Sequence, residues 1–91
     1  MPHRTVIVGS RVGLHARPAS LFVQAAARQP VAIKIGKPDG DPVDARSILL
    51  VLGLDARGGQ EVILTAEGDG AEQALDELTA LLATDLDAEA A

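Results

Sequence analysis

His15 is the residue of this chain best placed to do covalent chemistry. It lies in Gly13-Leu14-His15-Ala16-Arg17-Pro18-Ala19-Ser20, where a glycine loop hands a histidine to the start of a predicted helix. The first N–H groups of a helix have no carbonyl partner, and the helix dipole adds partial positive charge there. Such a terminus is an anion site. Pro18 is tolerated in a first turn because its missing N–H would have bonded nothing inside the helix. The N–H groups of Ala16 and Arg17 are then free for a ligand, and the Arg17 guanidinium is shaped to pair with phosphate oxygens. Histidine can form covalent intermediates. Together these residues describe a histidine able to take up a phosphoryl group in a nest of positive partial charge. The residues alone leave a second reading open, in which His15 is a surface histidine capping a helix.

The elements that must position this stretch follow from pattern. Thr5-Val6-Ile7-Val8, closed by Gly9, reads as a strand with Val6 and Val8 on one face and Ile7 on the other. His3, before it, is expected to fray and is given no function. Ala16 to Ala27 is predicted helical, with Ala19, Phe22, Val23 and Ala26 at i, i+3, i+4 and i+7 as the buried stripe. Ser20, Leu21 and Gln24 fall on other faces. Val31 to Ile35 reads as a second strand, and Lys37-Pro38-Asp39-Gly40-Asp41-Pro42 as a turn leading into a short returning strand at Val43.

Ser47 before and Gly53 after Ile48-Leu49-Leu50-Val51-Leu52 frame a short helix. Its apolar residues cannot all face one core, so part of it is expected to be exposed, unless loops cover it or strand propensity prevails. Gly58-Gly59 is a turn, and Glu61 to Ala66 a fourth strand. A last helix opens at Asp69 or Gly70. Its stripe is Ala71, Leu75, Leu78 and Leu82, with Ala74 and Leu81 alongside and Glu72, Asp76 and Glu77 in water. The order β-α-β-β-α-β-α predicts an α+β fold, with helices stacked on one side of an antiparallel sheet.

Three segments carry a family likeness: Gly-Leu-His-Ala-Arg-Pro-Ala at 13–19, Asp44-Ala45-Arg46-Ser47-Ile48-Leu49, and Val62-Ile63-Leu64-Thr65-Ala66-Glu67-Gly68. In this order, and in a chain of this size, they resemble HPr, the family of histidine-containing phosphocarriers of the bacterial sugar phosphotransferase system. The likeness runs from about Thr5 to Leu82. It implies an open-faced β-sandwich, a four-stranded antiparallel sheet with three helices on one face. It also implies that enzyme I, charged from phosphoenolpyruvate, phosphorylates His15 on the ring nitrogen nearer the backbone. The group then passes to enzyme IIA domains of sugar permeases.

By the same resemblance, Ile48, Leu49 and Leu52 join Ala16, Arg17, Ser20, Leu21 and Gln24 as the surface on which partners dock. A lone exposed leucine of no consequence is the plain alternative for Leu21. Ser47 is a helix N-cap from its position, and by resemblance the place where some members are phosphorylated by a regulatory kinase. A transcriptional regulator or such a serine kinase is thus a further candidate partner. Asp55, Gln24 and Ala27 depart from the family's usual residues, while Arg46 keeps some positive charge before Ser47. These departures bear on partner preference.

Composition sets the outer bounds. With 91 residues the chain is expected to form one domain, ordered over about 3–84, with 85–91 an acidic tail. Apolar residues make up 47%, enough for a core, but Phe22 is the one aromatic. There is no cysteine, hence no disulfide and no thiolate metal site. Two separated histidines make a zinc site a poor fit, so neither metal nor cofactor is expected. Neither a signal peptide nor an apolar run long enough to span a membrane is evident, which predicts a cytoplasmic protein with no membrane insertion. A monomer is the expected form.

The net charge of −5 is unevenly spread: Arg4, Arg11, Arg17, Arg28, Lys34 and Lys37 meet no acid through residue 38, while residues 58–91 hold nine acids and no base. That asymmetry suits acidic partners or phosphates on one face. Nucleic acid is not expected, since the bases are scattered without aromatics in an acidic chain. Nor is there a Walker-type loop or a paired-carboxylate site, so the chain is read as a shuttled substrate and not an enzyme. Rival readings are a regulatory, nitrogen-type relay using His15 identically, and a binding module without phosphotransfer. A phosphocarrier module separated from a dihydroxyacetone kinase is a third.

Overall fold

The structure, a computed structural model, describes residues 2–9 and 16–84. The elements run β1 (His3–Ile7), α1 (Ala16–Ala27), β2 (Ile33–Gly36), β3 (Val43–Asp44), α2 (Ile48–Gly53), β4 (Glu61–Ala66) and α3 (Ala71–Ala83). The four strands form one antiparallel sheet in the order β1-β4-β2-β3. This is the predicted open-faced α+β arrangement.

The alternation of the strands explains why one face is covered. Val6, Ile33, Ile35, Val62, Leu64 and Ala66 are buried, while Thr5, Ile7 and Lys34 between them are exposed. With period-two side chains, each strand supplies one face to the core and the other to solvent. α3 lies against β1 and β4, and α1 against both α2 and α3. Phe22 of α1 is wholly buried and packs in one cluster with Ile33, Ile35, Val51, Leu64, Leu75 and Leu78.

Several expectations need correction. β1 ends at Ile7, one residue short of Val8, and Gly53 is the last residue of α2, with Leu54 at its C-cap. His3 does not fray: β1 begins there, with His3 opposite Thr65 and Arg4 opposite Leu64. Arg4 also reaches α3, at 3.2 Å from Asp76 and 3.5 Å from Glu72. β2 starts at Ile33, not Val31, because its partner β4 ends at Ala66, opposite Ile33. Val31 and Ala32 have no strand to pair with, and Val31 instead packs against the core. In α1, Ala25 is buried whereas Val23 is only half-buried, since the helix is covered from two sides, by α2 and α3.

Candidate functional site

His15 and the rest of the loop 10–15 lie outside the described residues; what the structure describes is the platform on which the loop ends. α1 starts at Ala16, directly after His15. Pro18 is fully buried in its first turn, while Arg17 is exposed. No acidic residue occupies that turn, where a carboxylate would compete with an incoming anion. Leu21 and Gln24 follow Arg17 at i+4 and i+7 and are exposed with it, Leu21 to 37%. One stripe of α1 therefore runs cation, apolar, amide. Ser20 is half-buried beside it, its hydroxyl accepting from Gln24 Nε2 at 3.1 Å.

α2 is held by few contacts of its own. Ser47 stands at its N-cap in extended conformation (φ −101°, ψ 110°), its Oγ accepting from the Leu50 N–H at 3.3 Å. This satisfies one of the N–H groups that a helix leaves free. Val51 is the single buried residue of the helix. Leu49 is 78% exposed, and Ile48 and Leu52 are exposed with it. Leu50, 47% exposed, joins them and was not among the expected surface residues. Its signal was available: in one and a half turns anchored by Val51 alone, the residue just before the anchor must also point away. Because α1 packs against α2, the two exposed apolar sets sit on neighbouring helices.

Charged pairs bracket α2. Before it, Arg46 lies 3.3 Å from Asp44, and its backbone N–H also donates to Asp44 Oδ1 at 2.9 Å. That backbone hydrogen bond, with help from the guanidinium, holds the Asp44 carboxyl below its ordinary value. After it, Asp55 adopts φ 51°, the one positive φ at a non-glycine among the described residues, and lies 3.5 Å from Arg57. Neither pair was foreseen from sequence, although aspartate is among the residues that tolerate the left-handed region.

A depression on the open sheet face, about 440 Å³ and lined by Ala32, Lys34, Pro42, Thr65, Ala66 and Glu67, contains none of the predicted site residues. Among the described residues no helix is long and apolar enough to cross a membrane. Nor does any group of three His, Cys, Asp or Glu come together among them to hold a metal.

Comparison with known proteins places this geometry. The family model of the PTS HPr component phosphorylation site matches residues 2–84. The phosphocarrier protein HPr of Streptomyces coelicolor is 52% identical over 87 residues, covering 96% of this chain and 94% of that protein. The crystal structure of HPr from Thermoanaerobacter tengcongensis superposes with a TM-score of 0.87 at 38% identity, covering 96% of this chain and 97% of the other. Crh of Bacillus subtilis, whose crystal structure reveals domain swapping within a dimer, gives a TM-score of 0.70 at 40% identity, over 90% and 93% of the two chains.

Proposed function

Since the chain belongs to the HPr family of phosphotransferase-system phosphocarriers, we propose that it accepts a phosphoryl group on His15 from phosphorylated enzyme I and delivers it to enzyme IIA domains. The observation that carries this reading is the first turn of α1, which begins one residue after His15 with a buried Pro18, an exposed Arg17 and no acid. In the first transfer the bond from phosphorus to the donor breaks as the bond to the His15 imidazole forms. In the second the His15 imidazole is the leaving group. The equatorial oxygens carry the charge throughout. The N–H groups of Ala16 and Arg17 and the Arg17 guanidinium are the donors this chain brings to them, so its contribution is positioning and electrostatics.

Partners dock, on this reading, across the exposed side of α1 and α2, with Leu21, Leu49 and Leu52 as apolar contacts and Ser20, Gln24 and Ile48 around them. Leu50 extends that patch. Ser47 caps α2 in the unmodified chain. A phosphate on its hydroxyl would place about two negative charges beside the patch and weaken acidic partners. The chain acts as a cytoplasmic, monomeric substrate passed between enzymes. Light scattering of the purified protein tests the monomer directly, against the swapped dimer of Crh.

Incubation with phosphoenolpyruvate, magnesium and enzyme I, followed by intact mass measurement, tests the carrier reading. One acid-labile phosphoryl is expected, absent from His15→Ala. No mass shift with a cognate enzyme I would overturn it. The likeness to the HPr-like protein Crh, 41% identical over 80 residues, favours one second reading, a regulatory module acting by docking through α2. That reading predicts partner binding unchanged by His15→Ala and no role in sugar uptake.

A further inference from the structure

We propose that Gly9 is a positioning residue for phosphoryl transfer, the point at which the segment carrying His15 is fixed against the C-terminal end of α3. The inference rests on the carrier reading above. Beyond β1, the chain stays tied down for two more residues. Val8 donates its N–H to Gln60 O at 2.9 Å and accepts from the Gly59 N–H at 3.0 Å. Gly9 then donates its N–H to Leu82 O at 2.9 Å, one of the last-turn carbonyls that a helix cannot satisfy internally.

Approach at this point is closer than any side chain allows. A Cβ on Gly9 would stand 2.0 Å from Ala83 O, 2.5 Å from Ala83 C and 3.2 Å from Thr84 C. All three are backbone atoms, which cannot swing aside as the tip of a side chain can. Gly9 is not in the left-handed region, so what the position demands is space and not a special dihedral.

The surface it abuts is firm. Leu82 is buried in the core, the Thr84 N–H donates to Leu81 O at 3.2 Å, and Thr84 Oγ1 donates to Ala80 O at 2.9 Å. Six residues separate Gly9 from Ala16, the first residue of α1, and His15 is the last of them. A side chain at Gly9 must displace either a core-anchored helix end or the point from which that short segment departs. Leu82 anchors the helix end in the core, so the displacement falls on Gly9. Group transfer is sensitive to such misplacement, about a hundredfold in rate for an ångström.

The test uses three variants of the full chain, each assayed below its own melting temperature. Gly9→Ala crowds the abutment. Thr84→Pro disturbs it from the other side, because a proline drives the preceding Ala83 out of helical conformation while Gly9 stays intact. Gly36→Ala is the steric control: its Cβ would meet Pro42 Cα at 3.0 Å, in the β2–β3 hairpin, a segment that does not carry His15.

For Gly9→Ala the expected result with enzyme I is a kcat lowered about tenfold or more, a KM within about twofold, and an altered half-life of the phosphoprotein at fixed pH. Thr84→Pro should move kcat and half-life the same way by less, and Gly36→Ala should move only the melting temperature. Gly9→Ala and Thr84→Pro proteins that melt lower but keep kcat and half-life would overturn the proposal and leave Gly9 a packing residue. If Gly9→Ala does not fold, Thr84→Pro against Gly36→Ala decides by the same two readouts. A parent chain that takes up no phosphoryl at all is a separate result, one that overturns the carrier reading itself.

Discussion

α2 and α3 use the same residue type for opposite ends. α3 has 13 residues and buries Ala71, Ala74, Leu75, Leu78 and Leu82 against the sheet and α1. α2 has six residues and buries only Val51, leaving Ile48, Leu49, Leu50 and Leu52 exposed. Their capping differs in the complementary sense. Gly70 at the N-cap of α3 makes no side-chain bond, whereas Ser47 caps α2 with its hydroxyl. An isolated helix of α2's length would not hold in water. It is kept in place by Val51, by the buried alanines Ala45 and Ala56 on either side of it, and by its cap. Leucine in α3 stabilises the fold. In α2 its apolar surface stays in water, which suits a residue whose burial awaits a partner.

Identical substitutions in the two helices separate these roles. Leu78→Ala, in the core, should cost about 2–5 kcal/mol in chemical denaturation, a large share of the stability of a domain this small. A loss under about 1 kcal/mol would show that the α3 interface repacks freely. Leu49→Ala should leave stability within about 0.5 kcal/mol yet raise the KM for enzyme I about tenfold, the effect of an interface hot spot. Unchanged KM would remove Leu49 from the docking surface.

The caps sharpen the contrast. Ser47→Ala should lower stability by about 1 kcal/mol while phosphoryl uptake on His15 proceeds as in the parent. A wholly neutral result would mean that Val51 and its neighbours suffice to hold α2. The smallest effect concerns Asp44, the half-buried partner of Arg46. Its carboxyl is held below its ordinary value in the folded chain, so its contribution is present above about pH 4 and is lost as pH falls through the folded value. Asp44→Asn should therefore flatten the acid limb of the stability curve slightly, by no more than roughly 0.5 kcal/mol for a solvent-screened pair. An acid limb identical to the parent's would mean that the pair contributes nothing to α2's mounting.

Sequence reading reached furthest where local pattern and tertiary role agree. The apolar stripe of α3 and the bounds of α1 and β4 follow from periodicity and turn residues, and that α2 leaves apolar residues outward follows from five of them sharing one and a half turns. It fell short where an element owes its existence to a distant partner. His3 and Arg4 do not look like strand residues, and they become strand through β4 and the acids of α3. Val31 and Ala32 look like strand and are not, because β4 stops opposite Ile33. The close approach of Gly9 to Ala83 spans 74 positions of chain and leaves no local trace beyond the glycine itself. At the site, the placement of Arg17 and Pro18 in the first turn of α1 was legible because a first turn has fixed needs. The pairing of Asp44 with Arg46 was not, since two residues of opposite charge two apart bond only if the backbone turns to let them.

Phe22 sits in the middle of the core with no exposure, and it is the one phenyl ring of a chain without tyrosine or tryptophan. In a proton NMR spectrum the ring-current shifts of the core methyl groups around Phe22 thus originate from one ring. The displaced methyl resonances of its core neighbours, Ile33, Ile35 and Leu64 among them, become a readout of distance and orientation around that single ring. Unfolding, or any repacking communicated from a modified His15 or Ser47, would register there as a coherent drift of those methyl lines. A chain without tryptophan or tyrosine, nearly dark to near-ultraviolet absorbance and fluorescence, thereby carries an internal reporter that requires no label.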